Sequence, residues 1–261
     1  MSAADWIGRD LGTRVVAYTE YDAILYALAV GAPADRLDLV FEDQLRVLPT
    51  FGLTLAQWAP DVLAHAGAFD SRSVHGAQTL TVHRPLPRSG ELELCARVSG
   101  VWDKGAAAIF EIDVQCAEFT ARWSIFAPGA GGFGGDRGPA RTPAVEAPVT
   151  AEVELPLAPN MAALYRLTGD RHHIHIDPAA ASRIGQDKPI MQGLCTLAAA
   201  VLRLADASDA HPAELTRLEG RFTGPALPGD VLRIRQQGEG HFDVASPAGS
   251  PVISDGKAVF S

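Results

Sequence analysis

The feature that most constrains this chain is a Gly- and Pro-rich stretch near its middle, with similar residue patterns on either side. The stretch reads APGAGGFGGDRGPARTPAVEAPVT, and glycine and proline at this density interrupt both helices and strands. Three pairs of residues across it differ in number by 139 or 140: Tyr26 and Tyr165, Pro49 and Pro189, Gly90 and Gly229. The sequence therefore predicts two duplicated halves, residues 1–126 and 151–261, joined by a linker at 127–150.

Apolar patterning predicts an α+β architecture in which each half has a helix first and strands after. In the first half, apolar and polar residues alternate over 91–96, 110–116 and 119–125, the two-residue period of strands with one wet face. In the second half, residues 193–205 are apolar enough for a buried helix, and strand-like segments follow. Helices segregated from antiparallel strands are typical of the α+β class. We expect a curved sheet to wrap the apolar helix.

Charge and cysteine usage exclude several classes. The net charge is -9 and the basic residues are scattered, so no nucleic-acid partner is expected. The cysteines, Cys95, Cys116 and Cys195, are odd in number and far apart, which favours reduced thiols over a disulfide frame or zinc site. Apolar runs are far shorter than the ~20 residues of a bilayer span, and the N-terminus lacks a signal-like stretch. These features predict a cytoplasmic protein, or a peroxisomal one in a eukaryote, without a membrane partner.

Two short helices are predicted around a polar loop in the second half. Asn160 is a suitable N-cap for a helix over residues 161–167. Asp177 before Pro178 is a suitable start for the next helix, and Gly185 is a suitable end. This pattern gives Asp177 a capping role.

Four ionisable or hydrogen-bonding side chains lie between these helices: Asp170, His172, His173 and His175. A single histidine here would be read as a structural group, but a cluster of four indicates chemistry. Burial and mutual charge can bring the pKa values of a carboxylate and an imidazole toward neutrality, where they act as acid and base.

The same segment resembles hydratase 2, the MaoC-like (R)-specific enoyl-CoA hydratases. The resemblance is carried by YRLTGDRHHIH at 165–175 and PIMQGLCT at 189–196, and extends more weakly over 26–31, 47–50, 75–78, 103–105 and 132–135. It covers most of the chain and implies a double hotdog fold: two fused hotdog halves, each an antiparallel sheet wrapped around a helix. Val30 and Gly31 fall opposite Gly169 and Asp170, which indicates one active site per chain.

The resemblance also implies the chemistry. Asp170 and His175 would hold a water between them, one receiving its proton and the other serving the α-carbon. The amide of Gly193, at a helix start, would stabilise charge on the thioester oxygen. The implied activity is reversible hydration of trans-2-enoyl-CoA to (3R)-3-hydroxyacyl-CoA, or the reverse dehydration. The expected partner is an acyl-CoA thioester, no cofactor or metal is expected, and the expected assembly is a homodimer.

Three positions beside this chemistry depart from the family. His172 and His173 replace the family's Asn and Pro, and Gln192 stands where a His commonly precedes the glycine. We expect His172 and Gln192 to support the site, because each can still hydrogen-bond.

Substrate binding is predicted in the first half. The candidate residues are His75, Gly76, Arg84 and Lys104. Coenzyme A needs a basic rim for its phosphates, which Arg84 and Lys104 can supply, although either can also be a solvated surface charge.

Two other functions stay open at the level of sequence. His173, His175 and Asp177 alternate along the chain and could hold iron or zinc, although the capping role of Asp177 argues against this. A non-catalytic acyl-CoA binding or assembly subunit is also possible, but it would most naturally have lost Asp170 or His175. The glycines at 129–134 match a dinucleotide fingerprint, yet the glycine and prolines that follow forbid the required helix.

Overall fold

The computed structural model describes residues 2–140 and 148–261, so residues 141–147 of the predicted linker lie outside the described residues. The α-helices are α1 (Glu20–Ala29), α2 (Leu37–Val40), α3 (Phe51–Leu55), α4 (Trp58–His65), α5 (Met161–Tyr165), α6 (Pro178–Arg183) and α7 (Gly193–Ala207). The strands are β1 (Asp10–Tyr18), β2 (Val74–Val82), β3 (Gly90–Asp103), β4 (Ala107–Gln115), β5 (Phe119–Pro128), β6 (Ala151–Pro156), β7 (Leu215–Phe222), β8 (Val231–Gln236), β9 (His241–Ala245) and β10 (Pro251–Phe260). Short 3₁₀ turns occupy Ala3–Trp6, Arg166–Thr168, His173–His175, Pro212–Glu214 and Gly238–Gly240.

The strands form one antiparallel sheet whose two halves mirror each other. Its order is β1-β3-β4-β5-β2-β7-β10-β9-β8-β6, so the second half repeats the first in reverse around the β2–β7 pairing. The rings of Tyr26 in α1 and Tyr165 in α5 lie 6.0 Å apart, as expected for equivalent residues near an internal two-fold axis. The predicted combination of helices and antiparallel strands is confirmed, but the predicted order with the helix first is wrong, because β1 precedes α1 and β6 precedes α5.

The central helices of the two halves differ. Helix α7 is continuous and almost entirely buried, which confirms the apolar helix predicted at 193–205 and extends it by two residues. In the first half the corresponding segment is broken into α3 and α4, with a proline, Pro60, inside α4. The helical layers of the two halves are therefore built differently on the same sheet.

The alternating strand pattern is confirmed with one correction. Strands β3 and β5 alternate between buried and more exposed residues as predicted. Asp113 of β4 was expected on the wet face but is buried, because Arg122 covers it with hydrogen bonds of 2.5 and 2.9 Å. Strand β5 also continues to Pro128, two residues into the predicted linker.

The caps around the polar loop are confirmed only in part. Asp177 accepts the Ala179 N–H at 2.9 Å and starts α6. Asn160 precedes α5 but makes no side-chain capping hydrogen bond, and α5 ends at Tyr165, before the 3₁₀ turn at Arg166–Thr168. Over residues 2–140 and 148–261, no helix combines the length and the apolar character needed to cross a membrane.

Candidate active site

Asp170 and His175 face each other in the loop between α5 and α6. Oδ2 of Asp170 lies 3.7 Å from Nε2 of His175. His175 is buried, while the Asp170 side chain is 25% exposed, so solvent reaches the carboxylate but hardly the imidazole. At 3.7 Å the two groups are too far apart for a direct hydrogen bond, and one bridging water can reach both.

The other ring nitrogen of His175 fixes which nitrogen carries the proton. Nδ1 lies 2.8 Å from the carbonyl oxygen of Ile190, which can only accept, so Nδ1–H donates to it. Neutral His175 therefore presents an unprotonated Nε2 to Asp170. Burial lowers the pKa of His175 below its ordinary value, and nearby His172 and Arg166 lower it further, while Asp170 and the Ile190 carbonyl oppose the shift. The neutral form is the resting form near neutral pH.

Asp170 is oriented by the backbone rather than by a partner side chain. The N–H of His172 donates to Oδ1 of Asp170 at 3.1 Å, which leaves Oδ2 directed at His175. The His172 ring is exposed, and its Nδ1 accepts the Ile174 N–H at 3.4 Å. His172 thus supports the loop through its backbone and as a cap.

Gly193 is the first residue of α7, where the N–H groups of the first turn have no intrahelical partner. A Cβ at this position would lie 2.9 Å from the ring of Phe222, so only glycine fits without displacing that ring. The preceding Gln192 is buried, and its Nε2 donates to the Ala162 carbonyl at 3.1 Å. Gln192 therefore ties the start of α7 to α5, the helix that leads into the Asp170 loop.

His75 from the first half lies beside Phe222, the residue that packs on Gly193. Its ring packs edge-on against Phe222 with centroids 4.8 Å apart. Burial lowers the pKa of His75 to about 4, although nearby Asp170 opposes the shift. Its Nε2 donates to the Ala77 carbonyl at 3.0 Å. The predicted Gly76 follows it, where a Cβ would come within 3.3 Å of the Ser124 carbonyl.

The two predicted basic contacts lie elsewhere and already have protein partners. Arg84 follows β2 at the end away from His75, more than ~20 Å along the strand, and pairs with Glu118 at 2.6 Å. Lys104 lies in the turn between β3 and β4, and its Nζ donates to the Arg137 carbonyl. The structure does not bring either residue together with Asp170 and His175.

Thr54 of the first half, which sequence reasoning missed, packs against the loop that holds Asp170 and His175. The hydroxyl groups of Thr54 in α3 and Tyr165 in α5 are 3.3 Å apart in the buried interior. A Cβ on Gly169 would lie 3.0 Å from Cγ2 of Thr54, so α3 packs directly against the residue before Asp170. The one sequence signal for Thr54 was its position 139 residues before Gly193.

The geometry does not support the alternative metal site. His175 is directed at Asp170 and Ile190, whereas Asp177 caps α6 and His173 is exposed. Within the described ranges, no group of three or more His, Cys, Asp and Glu side chains is arranged to hold a metal ion.

Two mirrored half-sheets around a buried helix, with Asp170 and His175 facing each other in a loop before that helix, are the architecture of a double hotdog protein. Matches to two family models agree: the MFE-2 hydratase 2 N-terminal domain at 16–128 and the MaoC like domain at 141–249. The chain belongs to the MaoC-like hydratase 2 family.

Individual relatives support this assignment. The chain is 35% identical to enoyl-CoA hydratase ChsH3 of Mycobacterium tuberculosis over 263 residues, covering 92% of this chain and 90% of that protein. It is 34% identical to mouse peroxisomal multifunctional enzyme type 2 over 95% of this chain, which spans 37% of that longer protein.

Among solved structures, a MaoC-like dehydratase from Phytophthora capsici superposes with a TM-score of 0.87 at 24% identity, over 98% of this chain and 97% of the other. A Mycobacterium tuberculosis protein with a double hotdog fold superposes with a TM-score of 0.61 at 14% identity, over 100% of this chain and 98% of the other. The double hotdog fold implied by the resemblance is confirmed.

Proposed function

We propose that this protein reversibly hydrates trans-2-enoyl-CoA thioesters to (3R)-3-hydroxyacyl-CoA. The observation that carries the proposal is the pair formed by Asp170 and His175, 3.7 Å apart in the loop between α5 and α6. Membership of the hydratase 2 family and a relative named enoyl-CoA hydratase support the same reaction.

The pair is suited to activating one water. Oδ2 of Asp170 and the unprotonated Nε2 of His175 are both acceptors, so a water between them can donate one hydrogen bond to each. Such a water has its oxygen lone pairs free to attack the β-carbon. As the new C–O bond forms, an O–H bond of the water breaks and its proton passes to the pair.

As the C–O bond forms at the β-carbon, the electrons of the double bond are displaced. They move toward the α-carbon and the thioester oxygen, where the unpaired N–H of Gly193 at the start of α7 can donate to the developing negative charge. A proton from the pair reaches the α-carbon, which completes the addition of one water and returns Asp170 and His175 to their starting state. Dehydration follows the same steps in reverse.

The rest of the proposal divides the work between the halves. Residues 151–261 supply catalysis, with His172 and Gln192 in support, and residues 1–126 accommodate the substrate, with the linker at 127–150 between them. His75 and Gly76 would line the substrate path, because His75 packs on the ring that covers Gly193. Lys104 and Arg84 would reach coenzyme A phosphates only by exchanging their present partners, and we assign them no part in the reaction.

We also propose a homodimer located in the cytoplasm or, in a eukaryote, in the peroxisomal matrix. The existence of a peroxisomal relative supports the second location. Light scattering of the purified protein would support the homodimer if it gave twice the mass of the chain, and a single-chain mass would contradict it.

The experiment that tests the reaction is hydration of trans-2-enoyl-CoA thioesters of increasing chain bulk, followed as loss of enoyl thioester absorbance, with the configuration of the product determined. We expect turnover of at least one thioester and a 3R product. Tight binding without turnover of any thioester would contradict the proposal and favour a binding subunit. A 3S product would contradict the proposed stereochemistry.

A further inference from the structure

Two buried polar atoms on neighbouring strands of the first half have no hydrogen-bond partner among the described residues. Gln78 of β2 and Trp123 of β5 are directly opposite in the sheet, and each is 1% exposed. In the part of the chain that the structure describes, Oε1 of Gln78 has no hydrogen-bond donor and Nε1 of Trp123 has no acceptor. The His75 ring interacts with the Gln78 side chain, but its Nε2–H donates to the Ala77 carbonyl and does not complete a hydrogen bond to Oε1. Buried polar groups are rarely left unpaired, because each loses its hydrogen bonds to water. The two atoms mark a polar position in an apolar interior.

A bulge at Gly76 places His75 on the same face of the sheet as this pair. The register between β2 and β5 shifts there, so His75 lies opposite Ile125 while Gln78 lies opposite Trp123. Ile125 and Trp123 are two residues apart in β5 and both buried, so they share its interior face. In a regular strand His75 and Gln78, three residues apart, would point to opposite faces. The bulge therefore places both side chains on one interior face of the sheet.

Strand β7 and helix α7 indicate how far the pair lies from the reacting carbons. Phe222 of β7 covers Gly193. Two residues along the same face of β7, Gly220 lies opposite Gln78. A Cβ on Gly220 would be 3.1 Å from Leu197, which is one turn of α7 beyond Gly193. Along the axis of α7, Gln78 is therefore displaced from the Gly193 amide by about one helical turn, or ~6 Å.

We propose that the acyl group accepted by this enzyme carries a hydroxyl group that binds between Gln78 and Trp123. This inference rests on the proposed hydratase function and names a class of substrate for it. An indole N–H can only donate and an amide oxygen can only accept. A hydroxyl group both accepts and donates, so it satisfies the two atoms together. A ketone would satisfy Trp123 alone, and a methylene group would satisfy neither.

The test compares pairs of trans-2-enoyl-CoA thioesters of equal chain length, with and without one hydroxyl group beyond the double bond, and moves that group along the chain. The measured quantity is the ratio of kcat/KM for the hydroxylated thioester to that for the plain one. We expect the ratio of the wild-type protein to exceed one and to peak at one hydroxyl position. Trp123→Phe, which keeps an aromatic ring but loses the N–H, is expected to lower the peak ratio about tenfold, the typical effect of one hydrogen bond.

Gln78→Met, which removes the acceptor at similar volume, is expected to lower the same ratio. Trp6→Phe is the matched control and should leave the ratio unchanged. Trp6 is equally buried, but it lies in the 3₁₀ turn Ala3–Trp6 and not in β2 or β5. Thermal unfolding checks that each variant folds. If Gln78→Met does not fold, the ratio measured for Trp123→Phe alone tests the proposed hydroxyl site.

The inference is overturned if the wild-type ratio never exceeds one, or if Trp123→Phe leaves it unchanged. Either result with hydration of plain enoyl-CoA intact leaves the proposed reaction standing. Absence of hydration for every thioester would instead overturn the proposed reaction, and this inference with it.

Discussion

The two halves of the molecule place different chemistry at equivalent positions of one scaffold. The spacing of 139 residues puts Gly31 opposite Asp170 and Arg36 opposite His175. In the second half, Asp170 and His175 face each other across 3.7 Å. In the first half, Arg36 instead forms ion pairs of 2.9 Å with Asp38 of the same half and 3.1 Å with Asp206 of α7. The second half holds an acid–base pair where the first half holds a link between the halves.

The central helices add a second difference. Helix α7 runs for 15 residues from Gly193, and its aligned peptide dipoles favour negative charge at that end. The equivalent segment of the first half begins with α3, which has 5 residues and is followed by a break. The comparison teaches that the duplicated sheet alone does not make an active site. We propose that a long helix beginning at Gly193 and the facing pair of Asp170 and His175 are both needed.

The largest expected effect is a loss of kcat on substituting Asp170 or His175 of the second half. Asp170→Asn and His175→Ala should each lower kcat about 10³- to 10⁴-fold, because each removes a proton-transfer group. Enoyl-CoA hydration rates measure the loss, and urea unfolding shows whether folding persists.

Arg36→Gln is the matched variant in the first half. It should keep kcat within a few-fold of the wild-type value and lower the free energy of unfolding by about 1 kcal/mol, as expected for a partly exposed ion pair. A comparable loss of kcat in Arg36→Gln would break the distinction between the halves.

The next effect concerns two glycines that each pack against a phenylalanine ring. An added Cβ would lie 2.9 Å from Phe222 at Gly193 and 2.7 Å from Phe119 at Gly52 in α3. Gly193→Ala should lower kcat about 10²-fold, because the amide that stabilises the oxyanion is displaced. Gly52→Ala should cost about 1–3 kcal/mol of stability through overpacking, with a much smaller change in kcat. Equal losses of kcat would mean that the Gly193 effect is only steric.

A smaller effect is expected in the pH dependence of kcat/KM. Because the pKa of His175 is lowered from 6.5, its Nε2 stays unprotonated and able to accept a proton at pH values where an ordinary histidine is charged. Activity should therefore stay on its plateau as pH falls through 6.5 and decline only at lower pH. A pH–rate profile of the free enzyme measures this. A decline that begins above pH 6.5 would contradict the assigned role of neutral His175.

The smallest effect compares the two equivalent tyrosines. Tyr165→Phe removes the hydroxyl bonded to Thr54 and should lower stability by about 1 kcal/mol and kcat a few-fold, because Thr54 also contacts Gly169 before Asp170. Tyr26→Phe in α1 should have a similar effect on stability without the loss of kcat. If both variants change kcat equally, the support through Thr54 is not specific to the catalytic loop.

Local patterns in the sequence were sufficient to predict most of the fold. Repeated residues at a fixed spacing predicted two halves, and the apolar run predicted α7, because periodicity and apolar content depend directly on burial. The wet position predicted for Asp113 was wrong, because an ion pair with Arg122 on the neighbouring strand offsets the cost of its burial. Partners on other strands are not visible in a single strand's pattern.

The candidate site could be predicted in outline only. Asp170, His175 and Gly193 were named from a resemblance, and the structure brings the first two together. The contact of Thr54 with Gly169 joins positions more than 100 residues apart, and no local motif encodes it. The bulge at Gly76 likewise depends on how two strands align.

The most direct test of the central claim is the kcat of the double variant Asp170→Asn/His175→Ala beside the two single variants. If the two side chains activate one water together, the first substitution already removes most of their contribution to kcat, and the second substitution lowers kcat little further. The double variant should then be no more than about threefold slower than the slower single variant, as for other catalytic groups that act as a unit. A double variant whose loss equals the product of the two single losses would show that the residues act independently and would contradict the account.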